Sequence, residues 1–579
     1  MNKKTIQTSR FAFLLLASAF AARIACAQST LVCDGVLGNS GEQGKTLVRF
    51  APQTVSGMGV AYDRFGSLWS RAGAGKLNRY AIDGRLLAQY SIPNNNGSRD
   101  WEVLTLTRDR VVLLLGDQLY ALPLDAPNGS EVVPLKVQAS RMAFGTVGNQ
   151  IAAWNNGELF LLDVVTGQIQ QAGSISGDFQ WMEMGPDGAI YPVVNRQTHK
   201  FVGGVEVKKD WPKGSPGERP QLLDNAWWGH NWHGTVKRFN AAMEPDPGVV
   251  VGGASGSFIG HLDQNSEIEN GRGLAKISDT VYAVSGMGGV VNLLVWQPEL
   301  RQFSIARRIG AIPFCRGLGL DKKGNVWWFA GSWQWNDAPT APLRFGVNAP
   351  EGAGIGQAVM LPNDRMIAPG YLWGQPGFYV GALTGEISAG RTDKSTLSRD
   401  ALASAVYRNA QNELVLLTIT AQGVGQTNKI GDDGSFLSDG ALVVLQTATP
   451  VKEWTTLAMK DESTLLGAGD GFIIEFTRDG DNWKESRRWN SWGNGVDAKF
   501  GAQIYITADA GRLWVSDRDR QRVLGFDLKT NTPVTSFGTP DRKADDLTGF
   551  DAPTIIAARD NRVVVYDSGN QRLIKLRLK

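Results

Sequence analysis

The chain carries four histidines, and two of them stand in its densest aromatic stretch, Asn225-Ala-Trp227-Trp228-Gly-His230-Asn-Trp232-His233-Gly234, directly after Asp224. A third, His261, follows in Gly256-Ser-Phe-Ile-Gly-His261-Leu-Asp263. Imidazoles titrate near neutral pH, so this group is suited to general acid and base work or to holding a divalent metal, with Asp224, Asp263, Glu267 and Glu269 as nearby carboxylates. Residues three apart on a strand face opposite sides, so His230 and His233 converge only if this segment is a loop or a turn. The same histidines are equally able to hydrogen-bond locally while the tryptophans wedge between neighbouring sheets.

Tryptophan is the second notable group. Trp327, Trp328, Trp333 and Trp335 crowd one segment, and strand alternation puts Trp333 and Trp335 on one side. Flat rings beside Asn, Gln, Asp and Arg suit a sugar, because rings pack on the apolar faces of pyranoses while polar groups bind hydroxyls. The candidate catalytic residues are therefore His230, His233 and His261. The candidate substrate-binding residues are Trp227, Trp228, Trp232, Trp333, Trp335 and Asp224. No nucleophile elbow, phosphate-binding glycine loop, paired-cysteine metal motif or haem attachment motif accompanies them.

These residues need a scaffold, and the chain supplies a repeating one. A polar turn followed by a run of β-formers recurs, most clearly in Asp63-Arg-Phe-Gly-Ser-Leu-Trp69, Pro186-Asp-Gly-Ala-Ile-Tyr191, Lys322-Lys-Gly-Asn-Val-Trp-Trp328, Ala510-Gly-Arg-Leu-Trp-Val515 and Asp560-Asn-Arg-Val-Val-Val-Tyr566. The residues at the strand starts are Gly66, Arg110, Asn149, Gly188, Gly234, Asp279, Gly324, Asp364, Asn412, Ser463, Gly511 and Asn561, at steps of 39 to 51 residues. That period fits a four-stranded propeller blade, and no sustained helical stripe interrupts it. The expected fold is all-β, a β-propeller of about twelve four-stranded blades. Twelve exceeds the usual four to eight of one ring, so two tandem propellers are expected, over residues 28–305 and 306–579. A seven-plus-five division and one large ring are the alternatives. Lys45 to Pro52 could supply a closing strand.

The last two copies carry a resemblance. Leu513-Trp-Val-Ser-Asp517-Arg-Asp-Arg-Gln-Arg522-Val and Val563-Val-Val-Tyr-Asp567-Ser-Gly-Asn570-Gln-Arg572-Leu573 resemble NHL repeats, in which Asp, a Gly-Asn turn and Arg separate two aliphatic strands. The first copy has Arg520 where Asn is usual, and Arg79 in Lys76-Leu-Asn-Arg79 looks like a degenerate third copy. The resemblance implies a propeller whose relatives include protein-binding platforms, carbohydrate-binding modules and lyases. It places no catalytic residue here, because fold does not fix function.

Lys3, Lys4 and Arg10, an apolar run from Phe11 to Ala22 and then Ala25-Cys-Ala27 read as a signal peptide over residues 1–27, which implies a secreted or periplasmic protein. Cys26 allows a lipoprotein reading, against which Arg23 stands. Cleavage leaves 55 basic and 56 acidic residues, so the field expected of a nucleic-acid binder is missing. No later run is long enough for a membrane span. Cys33 and Cys315 remain, free to pair in an oxidising compartment. The leading expectation is an exported propeller that binds, and processes if it is an enzyme, a carbohydrate or other small ligand. The rivals are a His/carboxylate lyase or hydrolase, metal-assisted or not, and a platform for a protein partner.

Overall fold

Turns and apolar runs alternate along the chain, and in the computed structural model they become mostly antiparallel sheets; Phe436–Gln446 also pairs parallel with Asn482–Trp489, joining two four-stranded sets. The structure describes residues 30–38, 59–93 apart from 72–74, 83 and 85, 103–207, parts of 221–240 and of 273–391, and 401–579 apart from 494–495. The protein is all-β, built largely from four-stranded antiparallel sheets in a propeller-like pattern. Second strands are largely buried, as in Leu414–Thr420, every residue of which is buried, whereas fourth strands such as Val133–Gln138 are mostly exposed. A strand that is buried on both faces requires a sheet stacked on each side of it.

The turn markers explain where each sheet folds back. Eleven of the twelve stand at the start of the second strand of a sheet, as Gly66 does before Ser67–Arg71 and Gly324 before Asn325–Trp328. Both glycines have φ near +82°, a left-handed conformation that a side chain resists. Gly234 is the exception. The second strand of its sheet is Ala226–His230, so Gly234 comes one strand late and itself lies outside the described residues.

At two of these turns a buried carboxylate holds the hairpin. Asp63 accepts bonds from the Phe65 and Ser67 amides at 2.9 and 2.8 Å and from Trp69 Nε1 at 2.7 Å. Asp321 repeats this with Lys323, Asn325 and Trp327 Nε1, the last at 2.8 Å. The sequence phrase Asp-x-x-Gly-x-x-Trp thus encodes a cap in which one side chain satisfies two amides and anchors an indole.

Packing between sheets closes at two seams. The first sheet, from Val60–Tyr62 to Leu86–Ser91, packs Val60, Leu68 and Tyr80 against Ala275, Ala283, Val291, Leu293 and Ile309 of the sheet that spans Leu274–Lys276 to Gln302–Ile309. The sheet that begins at Leu318–Leu320 packs Leu318, Leu320, Val326 and Trp328 against Ile555, Ala557, Val564 and Tyr566 at the C-terminal end of the chain. The expected division at residue 305/306 falls inside the strand Gln302–Ile309.

The N-terminal strand belongs to the last sheet. Leu31–Leu37 pairs antiparallel with Arg572–Leu578, from Leu31 opposite Leu578 to Leu37 opposite Leu573, with a bulge at Asp34 whose carboxylate pairs with Arg577 at 2.7 Å. Lys45 to Pro52 lies outside the described residues. Cys33 and Cys315 are not bonded; each thiol donates to a nearby carbonyl, of Gly35 and Gly317 respectively. The N-terminal segment is therefore held by backbone pairing to the C-terminal strand rather than by sulfur to the middle of the chain.

In the two NHL-like copies, Asp517 meets Arg522 at 3.1 Å and Asp567 meets Arg572 at 2.9 Å, each pair within one sheet and buried. Arg572 also donates to the Asp546 carbonyl at 2.7 Å and Arg522 to the Asp497 and Lys499 carbonyls at 2.6 Å, so each guanidinium ties the incoming connection to its sheet. Burial pushes the Asp567 carboxyl up to about 6 against the pull of Arg572. Such a pair is costly to break and adds little net stability.

Removing the cap should separate its contribution from an ordinary turn. Asp63→Ala strands two amides and an indole, at a cost of roughly 2–4 kcal/mol in denaturant unfolding. Asp187→Ala, at the matching turn where the carboxylate accepts only from Ala189, should cost well under half as much.

Candidate functional site

Strand alternation sends Trp227 and Trp228 to opposite faces of Ala226–His230. Trp227, 2% exposed, meets Tyr191 of the preceding sheet edge-on with ring centres 5.1 Å apart, while Trp228, 4% exposed, meets Tyr282 of the following sheet at 5.6 Å. The two rings fill the gaps on either side of their sheet. His230 ends the same strand, opposite Val236, and Trp333 lies on Gly331–Gln334, opposite Val326. Asp224, Trp232, His233, His261 and Trp335 lie outside the described residues. Trp327 is the indole capped by Asp321, and the fourth histidine, His199, pairs with Glu206 at 2.8 Å. Among the described residues no three His, Cys, Asp or Glu side chains gather as a metal site.

The structure draws attention elsewhere, to the space enclosed by the first strands of the last six sheets. These strands are Leu318–Leu320, Val359–Met360, Ala401–Arg408, Trp454–Met459, Ile504–Asp509 and Pro553–Arg559. Where they begin, a cavity of about 320 Å³ is lined by Cys315, Gln357, Leu402, Glu453, Thr455, Tyr505 and Thr554, with Arg518, Tyr566 and Ser568 from the hairpins above. Where they end, a second cavity of about 450 Å³ is lined by Leu320, Met360, Tyr407, Met459, Asp509 and Arg559 among others.

Gln357 is the one described residue that lines both. Its Oε1 accepts from the Ser404 amide at 3.2 Å and the Leu457 amide at 3.0 Å, and its Nε2 donates to the Leu457 carbonyl at 3.1 Å. The side chain thus reaches past the neighbouring first strand to the one beyond and divides the enclosed space into an upper and a lower chamber.

Both chambers mix polar and apolar surface. In the lower one aliphatic residues stand beside Arg408, Asp509 and Arg559, with Arg559 paired to Asp364 at 2.9 Å. At its edge burial raises the Asp509 carboxyl, whose Oδ2 has no hydrogen-bond partner. The upper chamber is rich in hydroxyls. The Tyr566 hydroxyl donates to the Ile312 carbonyl at 2.6 Å and Ser568 to the Ala552 carbonyl at 2.6 Å, so both hydroxyl protons are engaged by backbone. Arg518 and Ser568 each follow directly on the motif Asp of an NHL-like copy, so the position after that Asp is the signal by which the sequence marked this chamber.

A fully buried acid, Glu183, stands on the first strand Phe179–Met184 of an earlier sheet. Its Oε1 accepts from the Met184 amide at 2.8 Å and from the Gly145 amide of the neighbouring first strand, where a Cβ would collide with it. Its Oε2 has no hydrogen-bond partner. Burial, opposed only by backbone bonds, pushes the carboxyl up to about 8.

This acid predicts a pH signature. The folded protein keeps a proton up to pH 8 that the unfolded chain releases near its ordinary value of 4.5, so between those values the group lowers stability by roughly 1.4 kcal/mol per pH unit as pH rises. Glu183→Gln keeps the acceptor and removes the titration. Thermal melts should show the variant matching wild type near pH 5 and melting higher at pH 8.

Compared with known proteins, the chain matches no family model and no curated protein.

Proposed function

We propose that this chain is an exported pair of tandem β-propellers, each of six four-stranded blades, which binds a carbohydrate in the upper chamber of the second ring. The break between rings then falls in residues 310–317. NHL-like blades close the second ring, together with the N-terminal strand, and the signal-like residues 1–27 carry the protein to the periplasm or outside the cell. The observation that carries the ligand reading is the upper chamber itself, which is lined from six successive parts of the C-terminal half of the chain. Its size suits a mono- or disaccharide. Its hydroxyl oxygens, the Gln357 amide and the partly exposed ring of Tyr505 are the mixture of acceptors, donors and apolar surface that a sugar engages. This reading moves the ligand from the aromatic loops to the centre of the second ring, and leaves Trp227 and Trp228 as wedges between blades.

The test is titration of a panel of mono- and disaccharides into the mature protein by calorimetry. At least one should bind, and Tyr505→Ala should weaken it about tenfold, the worth of one good contact in a desolvated site, while Trp333→Ala leaves it unchanged. No binding across the panel, or binding that follows Trp333 and ignores Tyr505, would overturn the proposal.

A further inference from the structure

The hairpin above the upper chamber carries three arginines within five residues, and two of them are spent. Arg520 pairs with Asp541 at 2.8 Å and Asp497 at 3.2 Å, and Arg522 pairs with Asp517. Among the described residues no carboxylate forms an ion pair with Arg518. Its Nη1 donates to the Oε1 of Gln503 and its amide to the Gln503 carbonyl at 3.1 Å, so a neutral side chain orients the guanidinium without neutralising it. The acid next to it in sequence, Asp519, is turned away to accept from the Gln503 amide at 3.0 Å. Asp519 and Gln503 therefore hold the loop beside Arg518 without an ion pair to its guanidinium, and this is the arginine that lines the upper chamber.

We infer that Arg518 binds the carboxylate of an acidic sugar, so that the ligand of the upper chamber is a uronic acid or a saccharide that ends in one. The inference rests on the carbohydrate reading above and narrows it. A guanidinium presents planar pairs of N–H groups that match the two oxygens of a carboxylate. Hydroxyl oxygens of Tyr566 and Ser568 line the same chamber and suit the remaining ring hydroxyls. Glu453 also lines it. A second negative charge on the ligand would be opposed by that carboxylate, which favours a monoanionic carboxylate over a dianionic phosphate.

The experiment is calorimetric titration of the mature protein with glucuronate, glucose, glucose 6-phosphate and acetate, repeated on Arg518→Gln, Arg518→Lys and the distant control Arg365→Gln. Glucuronate should bind about tenfold or more tighter than glucose, the preference expected of a charge-assisted bond. Arg518→Gln should abolish that preference, Arg518→Lys should keep part of it, and Arg365→Gln should keep all of it. Added salt should weaken glucuronate binding to wild type, a readout that does not depend on any variant folding. Equal binding of glucuronate and glucose would overturn the inference and leave the carbohydrate reading standing. Acetate bound as tightly as glucuronate would overturn the sugar and keep the arginine. Tighter binding of glucose 6-phosphate would overturn the choice of carboxylate, and no binding of any of the four would overturn both.

Discussion

A sheet whose middle strands are apolar on both faces cannot end a row, because its outer face would meet water. Each set of sheets must therefore come round until its last member covers its first. The packing of Tyr80 against Val291 and Leu293 does this early in the chain, and that of Trp328 against Val564 and Tyr566 does it late. The late seam carries an added restraint: Leu31–Leu37 completes the final sheet, so residues more than five hundred positions apart share one ladder. Shape, enclosed space and any ligand chemistry within it all follow from that closure.

Closure creates a second demand at the centre. First strands of adjacent sheets stand side by side without sharing a ladder, so their facing amides and carbonyls need other partners. Side chains supply them. Gln221 bonds both the amide and the carbonyl of Leu274, Glu183 spans from its own strand to Gly145, Thr456 accepts from Ile506, and Gln357 bridges Ser404 and Leu457. The residues that stitch the centre are thus polar by necessity. One of them, Gln357, divides the space it helps to close, and another, Glu183, has its carboxyl pushed up by burial, with no cation beside it among the described residues.

The repeat was legible because a turn that needs a left-handed residue and a strand that needs apolar ones leave marks that survive sequence drift. Gly66 and Gly324 stand where the phrase predicts. The site was much less legible. Trp227 and Trp228 stood out by type, yet a large ring is also what a widening gap between sheets requires, and composition alone does not separate the two. Arg518 looked like one charge among several in a hairpin, since only the geometry shows that Arg520 and Arg522 are paired and it is not. The pairing of Leu31–Leu37 with the other end of the chain was not legible, because pairing over such a distance leaves no local signal.

The central claim is that the second ring is closed by the N-terminal strand and encloses the ligand chamber. Hydrogen exchange of the mature protein, read on peptides covering 31–37 and 572–578, tests it most directly. If the account is right, both segments are protected to the same degree and lose protection together as denaturant is added. Exchange of 31–37 at the rate of free chain, with 572–578 still protected, would contradict it.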